Sequence, residues 1–230
     1  MQHYRTLVFD CDGVILDSNR VKTDAFYRVA LPYGEEAARA LMEYHRARGG
    51  ISRYLKFDYF LRQIVGQSQA DEEELQKLLH AFAAEVWQGL QTCELAAGLP
   101  ELRAQTPAAR WLVASGGDQA ELRRLFALRG LDTLFDGGIF GSPDSKEQIL
   151  ARELRKGNIN PPALFLGDSK YDYQAAAGAG LDFVFVSGWS ELDGWQEYFA
   201  DKEITAVESL GQLAANGKSS LAFNNSRSRL

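Results

Sequence analysis

The chain has 230 residues, 46% of them hydrophobic and 24% charged, with a formal net charge of −6 and a pI near 5.2. That size and balance predict a folded, soluble unit with a substantial core, and exclude a disordered or fibrous chain. The acidic charge argues against nucleic-acid and anionic-membrane binding, and two cysteines, Cys11 and Cys93, are too few for a disulfide framework.

The opening segment MQHYRTLVFD has no apolar run behind basic residues, and no stretch reaches 18 uninterrupted apolar residues. Neither a secretory signal nor a membrane span is expected, and a reducing cytoplasm is the expected compartment. The first apolar run, Thr6–Phe9, reads as a strand buried on both faces and runs into Asp10-Cys11-Asp12-Gly13. From Asn19 to Gln91 the pattern becomes helical, with amphipathic helices predicted over Lys22–Leu31, Glu35–Arg48, Ser52–Val65 and Asp71–Gly89. This is far more chain than one crossover needs, so an inserted subdomain is expected.

Strands are predicted again at Arg110–Ala114, Ala163–Leu166 and Phe183–Val186, the first two running into Ser115-Gly116-Gly117-Asp118 and Gly167-Asp168-Ser169. Helices are predicted over Gln119–Arg129, Asp144–Lys156 and Tyr171–Ala179, each with a glycine at its end. Buried strands alternating with helices predict an α/β fold, a Rossmann-like three-layer core around a parallel sheet, with an inserted α-helical cap subdomain. The expected division is a core of residues 1–18 and 92–216, a helical cap of 19–91, and a loosely held tail of 217–230 rich in Ser, Asn and Arg.

In such sheets, ligands lie beyond the carboxyl ends of the strands, where three of these turns gather reactive side chains. Asp10 and Asp12 flank Cys11, and Gly13 frees the backbone for a sharp turn. One carboxylate can attack while its neighbour handles the proton. Cys11, on the opposite face by strand alternation, is expected to pack. Asp168 and Asp172 bring two more carboxylates to the same edge. Four acids together would repel one another, and an all-oxygen cluster of this kind suits Mg²⁺. Ser115 offers a hydroxyl, and Gly116 a backbone amide, at what reads as a helix start suited to phosphate. Lys146 can balance the acids. Lys170 is expected to be a surface ion-pair partner, and His3, His45 and His80 fit no triad.

Asp10-x-Asp12-Gly, Ser115, Lys146 and Gly-Asp168-x₃-Asp172, in this order, resemble the motifs of the haloacid dehalogenase-like hydrolase superfamily over residues 10 to 172. The insertion after the first motif is similar to the C1-type cap of its phosphoglycolate-phosphatase-like and β-phosphoglucomutase-like members. The resemblance implies an aspartyl-phosphate on Asp10, proton transfer by Asp12, and Mg²⁺ held by the Asp10 side chain, the Asp12 carbonyl and Asp168, with Asp172 orienting the metal shell. It implies that Ser115 and Lys146 bind the transferring group; Glu147 stands where the family often has proline.

The expected activity is Mg²⁺-dependent hydrolysis of a phosphate monoester of a small metabolite, such as a sugar phosphate, by a monomer or small homo-oligomer. A phosphomutase on the same scaffold is the nearest alternative. A dehalogenase would leave Asp12 idle, a phosphonatase would need a cap lysine such as Lys22 or Lys56, and a receiver-type signalling domain would lack the insertion. Within the insertion, His45, Arg46, Arg48, Arg53 and Lys56 concentrate positive charge around Gly49-Gly50-Ile51-Ser52. Arg53 and Lys56 are the candidates for binding a second anionic or hydroxyl-rich part of the substrate.

Overall fold

A computed structural model describes residues 1, 3–67 and 71–216, so the tail expected at 217–230 lies outside the described residues. Six parallel strands, β1 (Thr6–Phe9), β2 (Arg110–Asp118), β3 (Gly138–Ser142), β4 (Ala163–Gly167), β5 (Asp182–Val186) and β6 (Thr205–Val207), form one sheet in the order β3-β2-β1-β4-β5-β6. The chain winds outward from β1 through β2 to β3, then returns to the other side of β1 with β4. That reversal opens a crevice at the carboxyl ends of β1 and β4.

Side-chain alternation divides the interior into two layers. Leu7, Phe9, Trp111, Val113, Leu164 and Leu166 point to one face. Val8, Leu112, Ala114, Phe165, Phe183 and Phe185 point to the other, against Ile149, Leu150, Ala175 and Ala176. The helices on this second face are α7 (Lys146–Arg155) and α8 (Lys170–Gly178), both started by Ser capping boxes. A short helix, α9 (Trp195–Tyr198), adds Phe199 just past its end to this layer.

Between β1 and β2 the chain forms α1 (Asn19–Ala30), α2 (Glu35–Ala47), α3 (Arg53–Tyr59) and α4 (Glu72–Thr92). The Asp71 side chain caps α4 by accepting from Glu73 N–H at 2.9 Å, and Glu72, Glu73 and Glu74 occupy the positive end of its dipole. The interior of this insert is aromatic, with Phe26 in ring contact with Phe57 and Phe82. It is continuous with the first sheet layer, where α5 (Leu99–Gln105), α6 (Gln119–Leu128) and α10 (Leu210–Asn216) also pack.

Differences from the sequence expectation fall where periodicity is weak. The helix predicted over Ser52–Val65 is α-helical only to Tyr59, and Phe60–Ile64 widen into a π turn. Strand β2 runs through Ser115 to Asp118, because Asp118 still pairs with Ser142 of β3 past a bulge. Ser115 therefore lies within a strand rather than at a helix start; Asp118 caps α6, accepting from Glu121 N–H at 3.0 Å. Strands β3 and β6 and helices α5, α9 and α10 carry signals too short for the sequence pattern. Among the described residues, no helix is long and apolar enough to cross a membrane.

Trp111 is fully buried between Phe9 and Phe135, and its indole N–H donates to Thr106 Oγ1 at 3.1 Å. Trp111→Ala is expected to lower the unfolding free energy by about 3–5 kcal/mol, and Trp111→Phe by clearly less, as measured by urea denaturation.

Candidate active site

The crevice at the β1–β4 reversal gathers the carboxylates. Phe9 is in register with Leu166, and Asp10 N–H donates to the Leu166 carbonyl at 2.9 Å, so Asp10 and Asp168 leave neighbouring strands at the same level. Gly13 turns the chain away at φ +74°, and a Cβ there would lie 2.1 Å from Asp168 Oδ2. Only glycine fits both the turn and the close approach. Cys11 is fully buried in the core below.

Lys146, the first residue of α7, is 1% exposed and reaches back under this floor. Its Nζ lies 3.0 Å from Asp10 Oδ2 and makes a short ion pair with Asp172 Oδ1. Burial by itself would lower the ammonium's pKa, but Asp10 and Asp172 outweigh it and hold Lys146 charged. The other oxygen of Asp172 closes the α8 capping box, accepting from Ser169 N–H at 3.1 Å and Ser169 Oγ at 2.6 Å. Asp172 thus joins the start of α8 to Lys146 and has both oxygens engaged.

Asp10 Oδ1 accepts from Cys11 N–H at 2.7 Å. Burial, then repulsion from Asp172 and Asp12, pushes its carboxyl up to about 7 against the pull of Lys146. Asp168, also buried, is pushed well up by burial and by Asp10 and Asp172. Its Oδ2 accepts from Asn19 Nδ2 at 2.7 Å. Carboxylate oxygens of Asp10, Asp168 and Asp172 lie within 4.8 Å of one another. A buried, all-oxygen set with two acids driven toward protonation fits a hard divalent cation, which would restore their ionised forms.

Asp12 is arranged differently. It is half-buried, and Lys22 Nζ at 2.5 Å and Ser18 Oγ at 2.6 Å outweigh the loss of solvent and hold its carboxyl below the usual range. Adjacent acids on one turn are therefore pushed in opposite directions.

These groups open into a cavity of about 500 Å³ between the sheet edge and the insert. Asp10, Asp12 and Asp168 line one end. The insert supplies His45, Arg46, Arg48, Arg53 and Lys56, so the basic concentration seen in the sequence faces the acids. Gly116 sits directly beneath the insert loop, where a Cβ would lie 2.3 Å from the Gly50 carbonyl oxygen. Tyr54 OH donates to Asp118 Oδ2 at 2.9 Å, and Arg53 makes a short ion pair with Glu121. The loop is thus fastened to the start of α6.

A family model described as haloacid dehalogenase-like hydrolase matches residues 4–180. The chain belongs to that family. Similar solved structures include a haloacid dehalogenase-like family hydrolase from Streptococcus pneumoniae, 18% identical with TM-score 0.65, covering 94% of this chain and 99% of that one. A CbbY protein from Rhodobacter sphaeroides in complex with phosphate is 21% identical with TM-score 0.68, over 91% of this chain and 96% of that one. A β-phosphoglucomutase from Clostridium difficile is 18% identical with TM-score 0.69, over 91% and 93%. At these identities the likeness is one of fold. No curated protein sequence matches the chain significantly.

Within this haloacid dehalogenase-like fold, the structure brings Asp10, Asp12, Lys146, Asp168 and Asp172 together, and corrects the sequence reading at two places. Ser115 is fully buried and does not line the cavity; its Oγ accepts from Gly117 N–H at 3.0 Å, because the strand continues past it. Lys170 makes no ion pair among the described residues and instead lies over the Tyr198 ring at 4.5 Å. His45, part of the basic concentration seen in the sequence, is in the cavity wall, with its Nδ1 2.7 Å from Lys56 Nζ. Sequence reasoning also missed Ser18 and Asn19. Their place just after the Asp-x-Asp turn was the available signal, and their partners are set by how α1 leaves the sheet.

Lys146→Met leaves Asp10 and Asp172 facing each other without a cation. It is expected to cost about 3–5 kcal/mol of stability near pH 8. The cost should shrink near pH 5.5, where Asp10 takes up a proton; urea unfolding at the two pH values measures both.

Proposed function

We propose that this haloacid dehalogenase-like protein is a Mg²⁺-dependent phosphatase acting on a phosphate monoester of a small metabolite through an aspartyl-phosphate on Asp10. The observation that carries this reading is the buried Asp10 carboxylate, gripped by Lys146 and Cys11 N–H beside Asp168, at the end of a cavity sized for a small molecule. The family membership and the fold shared with a phosphate-bound CbbY protein support it.

An oxygen of Asp10 attacks phosphorus as the ester P–O bond breaks, and Asp12 gives its proton to the departing alkoxide. Water then attacks the phosphorus of the aspartyl-phosphate, Asp12 takes the water's proton, and the bond to Asp10 breaks, so that ester and water become alcohol and phosphate. Lys22 and Ser18 keep Asp12 ionised in the resting protein, the state needed for the second step. A phosphate dianion in the cavity draws Lys22 toward itself and raises Asp12, favouring the protonated form needed for the first.

Asp10, Asp168 and the Asp12 main-chain carbonyl would hold the Mg²⁺, with Asp172 behind them. When bound, the ion supplies positive charge that offsets the phosphoryl oxygens. Lys146 neutralises Asp10 from the protein side, so that the nucleophile meets an anionic substrate without a second uncompensated charge. The helices from Asn19 to Gln91 act as the cap, and the Gly49–Ile51 loop over Gly116 excludes bulk water during transfer.

Asp10→Asn and Asp12→Asn are each expected to reduce Mg²⁺-dependent phosphate release from a sugar phosphate by about a thousand-fold or more, with the fold intact by circular dichroism. Full activity in either variant would sink the mechanism. A second expectation follows from the carboxyls that burial pushes up. Because folded Asp10 holds its proton to about 7, its stabilising contribution is complete below the unfolded pKa and is lost as pH rises through 7. The metal-free melting temperature should therefore fall between pH 5 and pH 8, and added MgCl₂ should raise it more at pH 8 than at pH 5; equal Mg²⁺ shifts would contradict the assigned site.

A further inference from the structure

The cations around the cavity are not equivalent. Lys146 is committed to Asp10 and Asp172, Lys22 to Asp12, and Arg53 to Glu121. Arg46 and Arg48 are exposed to solvent. Lys56 differs from all of these: it is 2% exposed, it lines the cavity, and no carboxylate of the described residues forms an ion pair with it. Its hydrogen-bond partner is the His45 ring, which burial and the nearby Lys56 and Lys22 keep neutral. The Phe26 ring supports both, 4.5 Å from the His45 ring and 5.4 Å from Lys56 Nζ. The nearby cavity carboxylate Glu191 already accepts from Thr23 Oγ1 at 2.6 Å.

An amine this deeply buried, with only a neutral partner, is costly unless something opposite in charge comes to it. The open side of Lys56 is the substrate cavity, so the missing anion has one route of arrival. We propose that the His45–Lys56 pair is a second anion subsite, which binds a carboxylate or second phosphate carried by the leaving-alcohol part of the substrate. This rests on the phosphatase reading for the other end of the substrate and narrows its class to phosphate esters of anionic alcohols. Burial and Lys22 push the Lys56 ammonium down to about 7, so an arriving anion also restores its full charge.

Matched ligands test this in the full chain carrying Asp10→Asn, with Mg²⁺ present and binding measured by calorimetry. The pairs are 6-phosphogluconate with glucose 6-phosphate, and fructose 1,6-bisphosphate with fructose 6-phosphate. In at least one pair the more anionic member should bind about ten-fold tighter or better, and the pair that shows the gap tells carboxylate from phosphate. Adding Lys56→Met should abolish the gap while leaving the less anionic member within about two-fold, and Lys56→Arg should keep most of it. Equal affinities within both pairs would overturn the subsite even if Lys56→Met fails to fold, and so would an equal loss on both members. Phosphate release by the unmodified enzyme separates the two readings. Release without a gap rejects the subsite alone, and a gap that depends on Lys56 without release of phosphate rejects the reaction alone.

Discussion

A single buried ammonium organises this site. Lys146 holds Asp10 with one contact and Asp172 with another, and Asp172 spends its second oxygen on the first turn of α8. Three segments far apart in the chain, the end of β1, the start of α7 and the start of α8, are thereby fixed to one another by charge-assisted bonds in a dry environment. Without a cation at that point, the reversal that brings β1 beside β4 would set acids against one another at the sheet edge. With it, the parallel sheet can present several carboxylates at one place.

The same floor separates the two acids that the proposed mechanism needs to be different. Asp10 is buried with more negative than positive neighbours, and its carboxyl rises; Asp12, two residues on, meets Lys22 and Ser18, and its carboxyl falls. The difference comes from α1, which leaves the sheet directly after the turn and carries Ser18, Asn19 and Lys22 past Asp12 and Asp168. The insert is thus part of the acidic floor at its first helix as well as the far wall of the cavity at α2 and α3.

Contact between insert and core is tight where it matters. A side chain at Gly116 would strike the Gly50 carbonyl, so the strand end cannot carry one without moving the loop, and Tyr54 and Arg53 anchor the loop on α6. Positive charge on the insert and negative charge on the core face each other across about 500 Å³. The anionic ester proposed as substrate would meet the cations of the insert in that space despite the net negative charge of the chain.

The sequence alone was enough for the strands β1, β2, β4 and β5, for most helices to within a few residues, and for Asp10, Asp12, Lys146, Asp168 and Asp172 as one chemical group. Those features are local: apolar runs of strand length, capping residues, and acids placed just after strands. Where β2 ends was not legible, because its last pair depends on β3, and so Ser115 was misplaced at a helix start. Nor could the sequence show that His45 meets Lys56, that Lys22 meets Asp12, or that Lys170 rests on Tyr198. Each is a contact between elements whose relative placement follows from packing rather than from spacing along the chain. Sequence by itself determined which reactive groups the chain owns and the order in which strands deliver them. Tertiary structure decided which charges are paired and which stand alone, because burial and partners, set only when the insert packs on the sheet, determine what a charge can do.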